Sequence, residues 1–179
     1  MLMEYPQDHI VHKSEPIGER ITHYGPDADQ VIEFFGESNT GKQLLLIHGG
    51  YWRPTIDRAH LRPLAEALAQ RNFRIALLEY RRVQGRPDDY LSDVFLGEEK
   101  GALERLDPIR LSAAKTNIHL MHSEHDFIPL EVAHRYYREK LAEGARIKFT
   151  LVPDADHFAL VDPRSAGLGI LLQALSEIE

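Results

Sequence analysis

One aliphatic run that ends in two glycines constrains this chain more than any other feature. Residues 44–52 read LLLIHGGYW. Four consecutive aliphatic residues predict a strand that is buried on both faces, as in the interior of a parallel sheet. The two glycines permit backbone conformations that a side chain forbids, and they leave main-chain N–H groups able to face a negative charge. A plain glycine turn closed by a packed aromatic pair also fits, so the run alone predicts a strand and leaves its chemistry open.

The periodicity after this run changes to that of a helix and then returns to that of a buried strand. Leu61, Leu64, Ala65 and Leu68 are spaced by three or four residues, which places them on one helical face. Asp57 is a candidate cap for the start of this helix. The apolar run 75–78 follows, and strand, helix, strand in this order predicts a right-handed parallel crossover.

The C-terminal half repeats this alternation. We expect strands over residues 118–121 and 147–152, and between them a helix that begins at Pro129 and ends at Gly144. Ala133, Tyr137 and Leu141 line up at i, i+4 and i+8 of this helix, and a last helix would carry an apolar stripe. The pattern predicts an α/β fold with a three-layer, doubly wound, mostly parallel sheet, formed by a single domain over residues 20–179. Residues 1–19 are predicted to be a polar N-terminal arm.

Composition narrows the classes of partner and compartment. The chain has 179 residues, no cysteine and a formal net charge of -7. The absence of cysteine excludes disulfides, thiolate nucleophiles and cysteine-based zinc sites. The negative charge argues against nucleic acid or an anionic membrane as the main partner, and no apolar run approaches the roughly 20 residues that cross a bilayer. We therefore expect a cytoplasmic protein that binds neither nucleic acid nor membrane, and a homodimer is a possible assembly.

The first half resembles a known family of enzymes. Tyr24 and Gly25, the His-Gly-Gly-x-Trp motif over residues 48–52, and the Glu-Tyr-Arg sequence over residues 79–81 are similar to the first third of an α/β-hydrolase of the arylformamidase and carboxylesterase type. In that family the motif supplies backbone N–H donors to an oxyanion hole. The resemblance implies that Gly49, Gly50 and Tyr51 are the donors and that His48 and Trp52 shape the pocket.

The second half resembles the same family at two loops. Residues 122–129, HSEHDFIP, are similar to the loop that carries the acid of the catalytic triad, and residues 154–158, DADHF, are similar to the histidine loop. The resemblance implies that Asp126 is the triad acid and that His157 is the general base. It also implies hydrolysis of a small-molecule ester or aryl formamide without a cofactor. A helix-capping carboxylate and an ordinary loop histidine are the structural alternatives for these two residues.

The nucleophile of that family is missing. The fold needs a Gly-x-Ser-x-Gly elbow to hold the serine oxygen clear of the sheet, and no serine of this chain has glycine two residues away on both sides. The segment that would carry the elbow is absent after Pro87. We expect the strand from Ile118 to close the gap by pairing with the strand at residues 44–47, which would bring Ser123 near the oxyanion donors.

Four functions are compatible with these features. The first is a hydrolase relative that is impaired or inactive, and the second uses Ser123 as a substitute nucleophile. The third is a metal-dependent hydrolase, and the fourth is a non-catalytic remnant of the fold that binds a ligand or a partner. The third would use histidine and carboxylate ligands from this set: His48, His122, His125, Asp126, Asp156 and His157. The basic loop at residues 81–87 is either an anion-binding lip or, as we prefer, solvated surface.

Overall fold

The computed structural model of this protein describes residues 16–50, 53–83, 93 and 117–177. The chain divides into two compact units at residues 100 and 101, called here the N-terminal unit and the C-terminal unit. The prediction of one domain over residues 20–179 stays a prediction, and most of the predicted arm lies outside the described residues. No helix within the described part is long and apolar enough to cross a membrane.

Over residues 16–50 and 53–83 the N-terminal unit forms a four-stranded sheet and one α-helix. The strands are β1 (Arg20–His23), β2 (Val31–Phe35), β3 (Gln43–Ile47) and β4 (Arg74–Leu78), and α1 (Arg62–Ala69) lies between β3 and β4 in the chain. The order in the sheet is β1-β2-β4-β3. β3 and β4 are parallel as predicted, whereas β2 is antiparallel to both of its neighbours.

The core of this unit lies between α1 and one face of the sheet. A short 3-10 helix (Arg58–Leu61) precedes α1, and the Asp57 side chain caps it by accepting a hydrogen bond from the Ala59 amide. All four apolar residues that were predicted to share a helical face are buried, and they are Leu61, Leu64, Ala65 and Leu68. The run at residues 75–78 is buried as well. The helical periodicity therefore identified the core-facing side of α1 correctly.

The burial predicted for β3 is wrong. Leu45 is 55% exposed and Ile47 is 40% exposed, whereas Leu44 and Leu46 are half-buried. Alternate residues of a strand point to opposite faces of the sheet, so only the face of β3 that carries Leu44 and Leu46 is partly covered. Within the described residues β3 is an edge strand with β4 as its only neighbour.

Over residues 117–177 the C-terminal unit forms two parallel strands and two α-helices. The strands β5 (Ile118–His125) and β6 (Ile147–Asp156) flank α2 (Leu130–Ala142) in the chain, and a 3-10 helix (His157–Leu160) and α3 (Ala166–Ser176) follow. α2 begins after Pro129, and Gly144 has a positive φ of 85° just beyond its end, as predicted. Tyr137 of α2 packs on Phe149 of β6. Of the residues aligned on α2, Ala133 is buried whereas Leu141 is half exposed, and the neighbouring Lys140 is buried.

One further expectation about the sheet does not hold, and one stays a prediction. Within the described residues β5 is hydrogen-bonded to β6 in a two-stranded sheet. The predicted pairing of β5 with β3 would join the two units, and it stays a prediction. β5 also continues through residues 122–125, which were predicted to form a loop, and the pairing with β6 is irregular between Ser123 and His125. The structure thus has α/β content with parallel strand pairs in both units.

Candidate active site

Asp126 and His157 lie at the carboxyl ends of the two parallel strands of the C-terminal unit. Asp126 follows the last residue of β5, and His157 follows the last residue of β6. Parallel strands end at the same edge of a sheet, so the two residues are neighbours although 31 positions separate them in the chain. This is the placement that the strand-end argument predicts.

The imidazole of His157 faces the carboxylate of Asp126. Its Nδ1 lies 3.0 Å from Oδ1 and 2.9 Å from Oδ2 of Asp126. The Asp126 side chain is only 4% exposed, whereas that of His157 is 31% exposed. A buried carboxylate accepts hydrogen bonds, so Nδ1 carries the proton that it donates and Nε2 is left as the acceptor of the neutral ring.

Local hydrogen bonds hold both residues in place. Oδ1 of Asp126 accepts a hydrogen bond from the Ile128 amide at 2.8 Å, and the Asp126 amide donates to the Ser123 carbonyl oxygen at 3.3 Å. The Asp156 side chain caps the 3-10 helix by accepting from the amides of Phe158 and Ala159, at 3.0 and 2.9 Å. His157 is the first residue of that helix, so the cap fixes the backbone from which its side chain extends.

Two aromatic rings flank the His157 imidazole. The Phe127 ring centroid lies 4.3 Å from the imidazole centroid, and the Phe158 ring packs edge to face at 5.3 Å. Phe127 is 39% exposed, so it presents an apolar surface to solvent beside the histidine. Sequence reasoning assigned no role to either ring, although each is adjacent in sequence to a predicted site residue.

Ser123 is buried within β5 and is only 1% exposed. Its Oγ has no hydrogen-bond partner among the described residues, and the same is true of Nε2 of the neighbouring, buried His122. Nδ1 of His122 lies 2.8 Å from the Ser123 carbonyl oxygen. The accessible loop position expected for Ser123 is therefore wrong, because β5 extends further than predicted.

His48 is packed inside the N-terminal unit. Its Nε2 lies 2.9 Å from Oε1 of Glu79, and its ring stacks on Tyr80 with centroids 4.3 Å apart. The Tyr80 hydroxyl donates to the His48 carbonyl oxygen at 2.7 Å. These contacts fasten the end of β3 to the end of β4. His48 thus anchors the start of the glycine loop to β4. Glu79, its partner, was noted in the sequence only as part of the resemblance.

Glu79 is a buried carboxylate surrounded by donors. Its Oε2 accepts a hydrogen bond from the Arg58 amide at 2.9 Å, and the Nε of Arg82 lies 3.3 Å from its Oε1. Burial by itself raises the pKa of Glu79, but the hydrogen bonds from His48 and from the Arg58 amide outweigh it, so the pKa lies below its ordinary value. Glu79 is therefore ionised and ties three segments of the unit together.

The backbone of the glycine loop is partly constrained. Gly50 has a φ of 133°, and a Cβ at this position would lie 2.8 Å from Cγ2 of Ile56. A Cβ at Gly49 would meet no atom within 4 Å. The Gly50 carbonyl oxygen accepts from the Arg53 amide, whereas within the described residues no acceptor binds the amides of Gly49 and Gly50. Tyr51 and Trp52, the other predicted members of this loop, lie outside the described residues.

The glycine loop belongs to the N-terminal unit, and Asp126 and His157 belong to the C-terminal unit. The prediction that all of them line one cavity stays a prediction.

The six residues considered as metal ligands do not form one cluster among the described residues. Asp126 binds His157, Asp156 is a helix cap and His48 binds Glu79. The one group of three ligand atoms found in the described part comes from Glu124, His125 and Asp154, which are exposed. It shares only His125 with the predicted set.

The first two arginines of the basic loop are engaged in ion pairs. Arg81 binds the carboxylate of Asp93, and its Nη2 lies 2.8 Å from Oδ1 of Asp93. Arg82 is buried, and its Nη2 lies 3.2 Å from Oδ2 of Asp29. We preferred to interpret this loop as solvated surface, and that interpretation is wrong for these two arginines. Residues 84–87 of the loop lie outside the described residues.

Comparisons of the chain with protein-family models and with curated proteins found no match.

Proposed function

We propose that this protein is a relative of the α/β-hydrolases of the arylformamidase and carboxylesterase type, with a three-layer, doubly wound sheet. It hydrolyses a small ester or an aryl formamide, more slowly than a hydrolase that has an elbow serine. The observation that carries the proposal is the hydrogen bond between Nδ1 of His157 and the buried carboxylate of Asp126. In this pair His157 is the general base and Asp126 fixes its tautomer and stabilises the imidazolium that forms.

The exposure of the two residues favours catalysis over a structural role. A histidine that only satisfied a buried carboxylate would gain nothing from contact with solvent, yet the His157 side chain is 31% exposed. The Phe127 ring lies 4.3 Å from the imidazole between centroids and is 39% exposed, so it offers apolar contact to an aryl group. These features support an aryl ester or aryl formamide as the substrate class.

The proposed oxyanion donors are the amides of Gly49 and Gly50. Both are without an acceptor among the described residues, and the positive φ of Gly50 gives the loop a conformation that other residues rarely adopt. The contact between His48 and Glu79 holds the residue that precedes these glycines in place. The low rate follows from the missing elbow, because the loss of one triad member leaves only modest catalysis by the remaining donors and binding.

The test is hydrolysis of p-nitrophenyl acetate by the purified protein. The chain has ten histidines, and exposed histidines hydrolyse this ester nonspecifically, so a matched control is required. We expect His157→Ala to lower kcat/KM by about a hundredfold or more, in line with general-base catalysis. His125→Ala removes an exposed histidine from the same end of β5 and should leave the rate unchanged. Turnover that is indifferent to His157→Ala would contradict the proposed function.

A further inference from the structure

We infer that the group attacking the substrate is a water molecule activated by Nε2 of His157, so that hydrolysis occurs in one displacement without an acyl-enzyme. This inference rests on the proposed function and assigns the nucleophile that the missing elbow leaves open.

The lone pair of the His157 imidazole has a defined position. Nδ1 is occupied by both carboxylate oxygens of Asp126, at 3.0 and 2.9 Å. The free lone pair of the neutral ring is therefore on Nε2, and no residue in the described part of the chain binds that nitrogen. The Asp126 side chain is buried and that of His157 is partly exposed, so the histidine is the solvent-accessible member of the pair.

The serine and threonine hydroxyls of residues 117–177 are the next candidates for the nucleophile. Residues 117–177 contain four serine and threonine side chains, at positions 123, 150, 165 and 176. Oγ of Ser165 caps α3 by accepting from the Gly167 amide, Oγ of Ser176 donates to the Gln173 carbonyl oxygen, and Oγ1 of Thr150 lies 2.8 Å from Nε2 of His119. Ser123 is buried, with no exposed Oγ surface. Three of these four hydroxyls are therefore engaged in hydrogen bonds and the fourth is buried.

The reaction is then a direct hydrolysis. The water oxygen attacks the acyl carbon while Nε2 of His157 accepts one water proton, which gives a tetrahedral intermediate and an imidazolium paired with Asp126. The bond between the acyl carbon and the leaving oxygen or nitrogen breaks, and the imidazolium returns the proton to the leaving group. The products are the carboxylic acid and the phenol or arylamine, and the enzyme regains its starting state.

The experiment follows p-nitrophenolate release from p-nitrophenyl acetate before the steady state, with intact-mass measurement of the protein during turnover. We expect no burst and no acetyl adduct. Ser123→Ala should retain kcat within about a factor of two, and His157→Ala should lose about a hundredfold. Added imidazole should restore part of the His157→Ala rate above the buffer reaction, which a merely structural role for His157 would not allow.

Two outcomes would overturn the inference, and they differ in their consequences. A stoichiometric burst, a serine-bound acetyl group, or fluorophosphonate labelling of Ser123 would show a covalent mechanism, in which case the hydrolase function stands and the water mechanism is wrong. Absence of enzymatic turnover in the wild-type protein, with circular dichroism showing that it is folded, would remove the proposed function together with the inference.

Discussion

Nδ1 of His157 lies 2.9 Å from Oδ2 of Asp126, and the carboxylate is almost completely buried while the imidazole is partly open to solvent. The two members of the pair have different roles. The buried Asp126 fixes the tautomer of the imidazole, and Nε2 of the partly exposed His157 is left to act on a substrate.

Replacing the acid of the pair without changing its shape tests the tautomer argument. In Asp126→Asn the negative charge is lost, and the amide can donate to Nδ1, so the proton of His157 moves to Nε2 and the base is lost. We expect hydrolysis of p-nitrophenyl acetate to fall by about a hundredfold to ten-thousandfold with little change in KM. Asp154→Asn, at an exposed position near the end of β6, is the control and should keep the wild-type rate. Equal rates for both variants would contradict the role of Asp126.

The two glycines of the loop after β3 should respond differently to alanine. Gly50→Ala places a side chain at a φ of 133° and a Cβ 2.8 Å from Ile56, so we expect a loss of about 2 kcal/mol or more in the free energy of unfolding. Gly49→Ala meets no atom within 4 Å and should change it by about 0.5 kcal/mol or less. Urea titration of both variants measures the difference. Similar losses would show that Gly50 is not held in its strained conformation.

Much of the candidate site followed from the sequence because it depends on strand order. Asp126 and His157 are brought together by the parallel pairing of β5 and β6, and alternating apolar runs and helical stripes predict such pairing. The glycine motif identified the end of β3 in the same way. The position of Ser123 did not follow, because an irregular pairing with β6 lets β5 continue through residues that read as a polar loop. Polar residues at a strand end give no signal of where the hydrogen-bonded ladder stops.

The burial of β3 could not be read from its residues either. The runs 44–47 and 75–78 are both aliphatic, yet Leu77 is fully buried and Leu45 is 55% exposed. The difference comes from their places in the sheet, since β4 lies between two strands and β3 has one neighbour within the described residues. Local composition predicts a strand, and only the tertiary arrangement decides whether the strand is central or at an edge.

This difference predicts unequal costs for the same substitution. Leu77→Ala removes a fully buried side chain and should lower the free energy of unfolding by about 2–5 kcal/mol. Leu45→Ala removes a side chain that is already half solvated, and we expect a loss of about 1 kcal/mol or less. Chemical denaturation of the two variants measures the gap. A cost for Leu45→Ala as large as that of Leu77→Ala would mean that β3 is covered in solution.

The buried carboxylate of Glu79 should make stability depend on pH in the acid range. Its pKa in the folded state lies below its ordinary value of 4.5, although burial alone would raise it, because His48 and the Arg58 amide donate hydrogen bonds to it. The folded state therefore binds this proton less readily than the unfolded chain. The stabilisation is complete above pH 4.5 and is lost as the pH falls from there through the folded-state pKa.

Glu79→Gln removes this dependence and leaves the buried partners of Glu79 without their counter-charge. We expect a loss of about 3–5 kcal/mol at neutral pH, as for breaking a buried ion pair, and a flatter decline of stability below pH 4.5. Glu37→Gln is the control, because Glu37 pairs with Arg20 at the surface, where such a pair contributes about 1 kcal/mol or less. Thermal unfolding from pH 3 to pH 7 compares the three proteins. If the Glu79→Gln protein kept the wild-type acid slope, another carboxylate would have to be responsible for it, and His48 would be held in place by packing against Tyr80 rather than by charge.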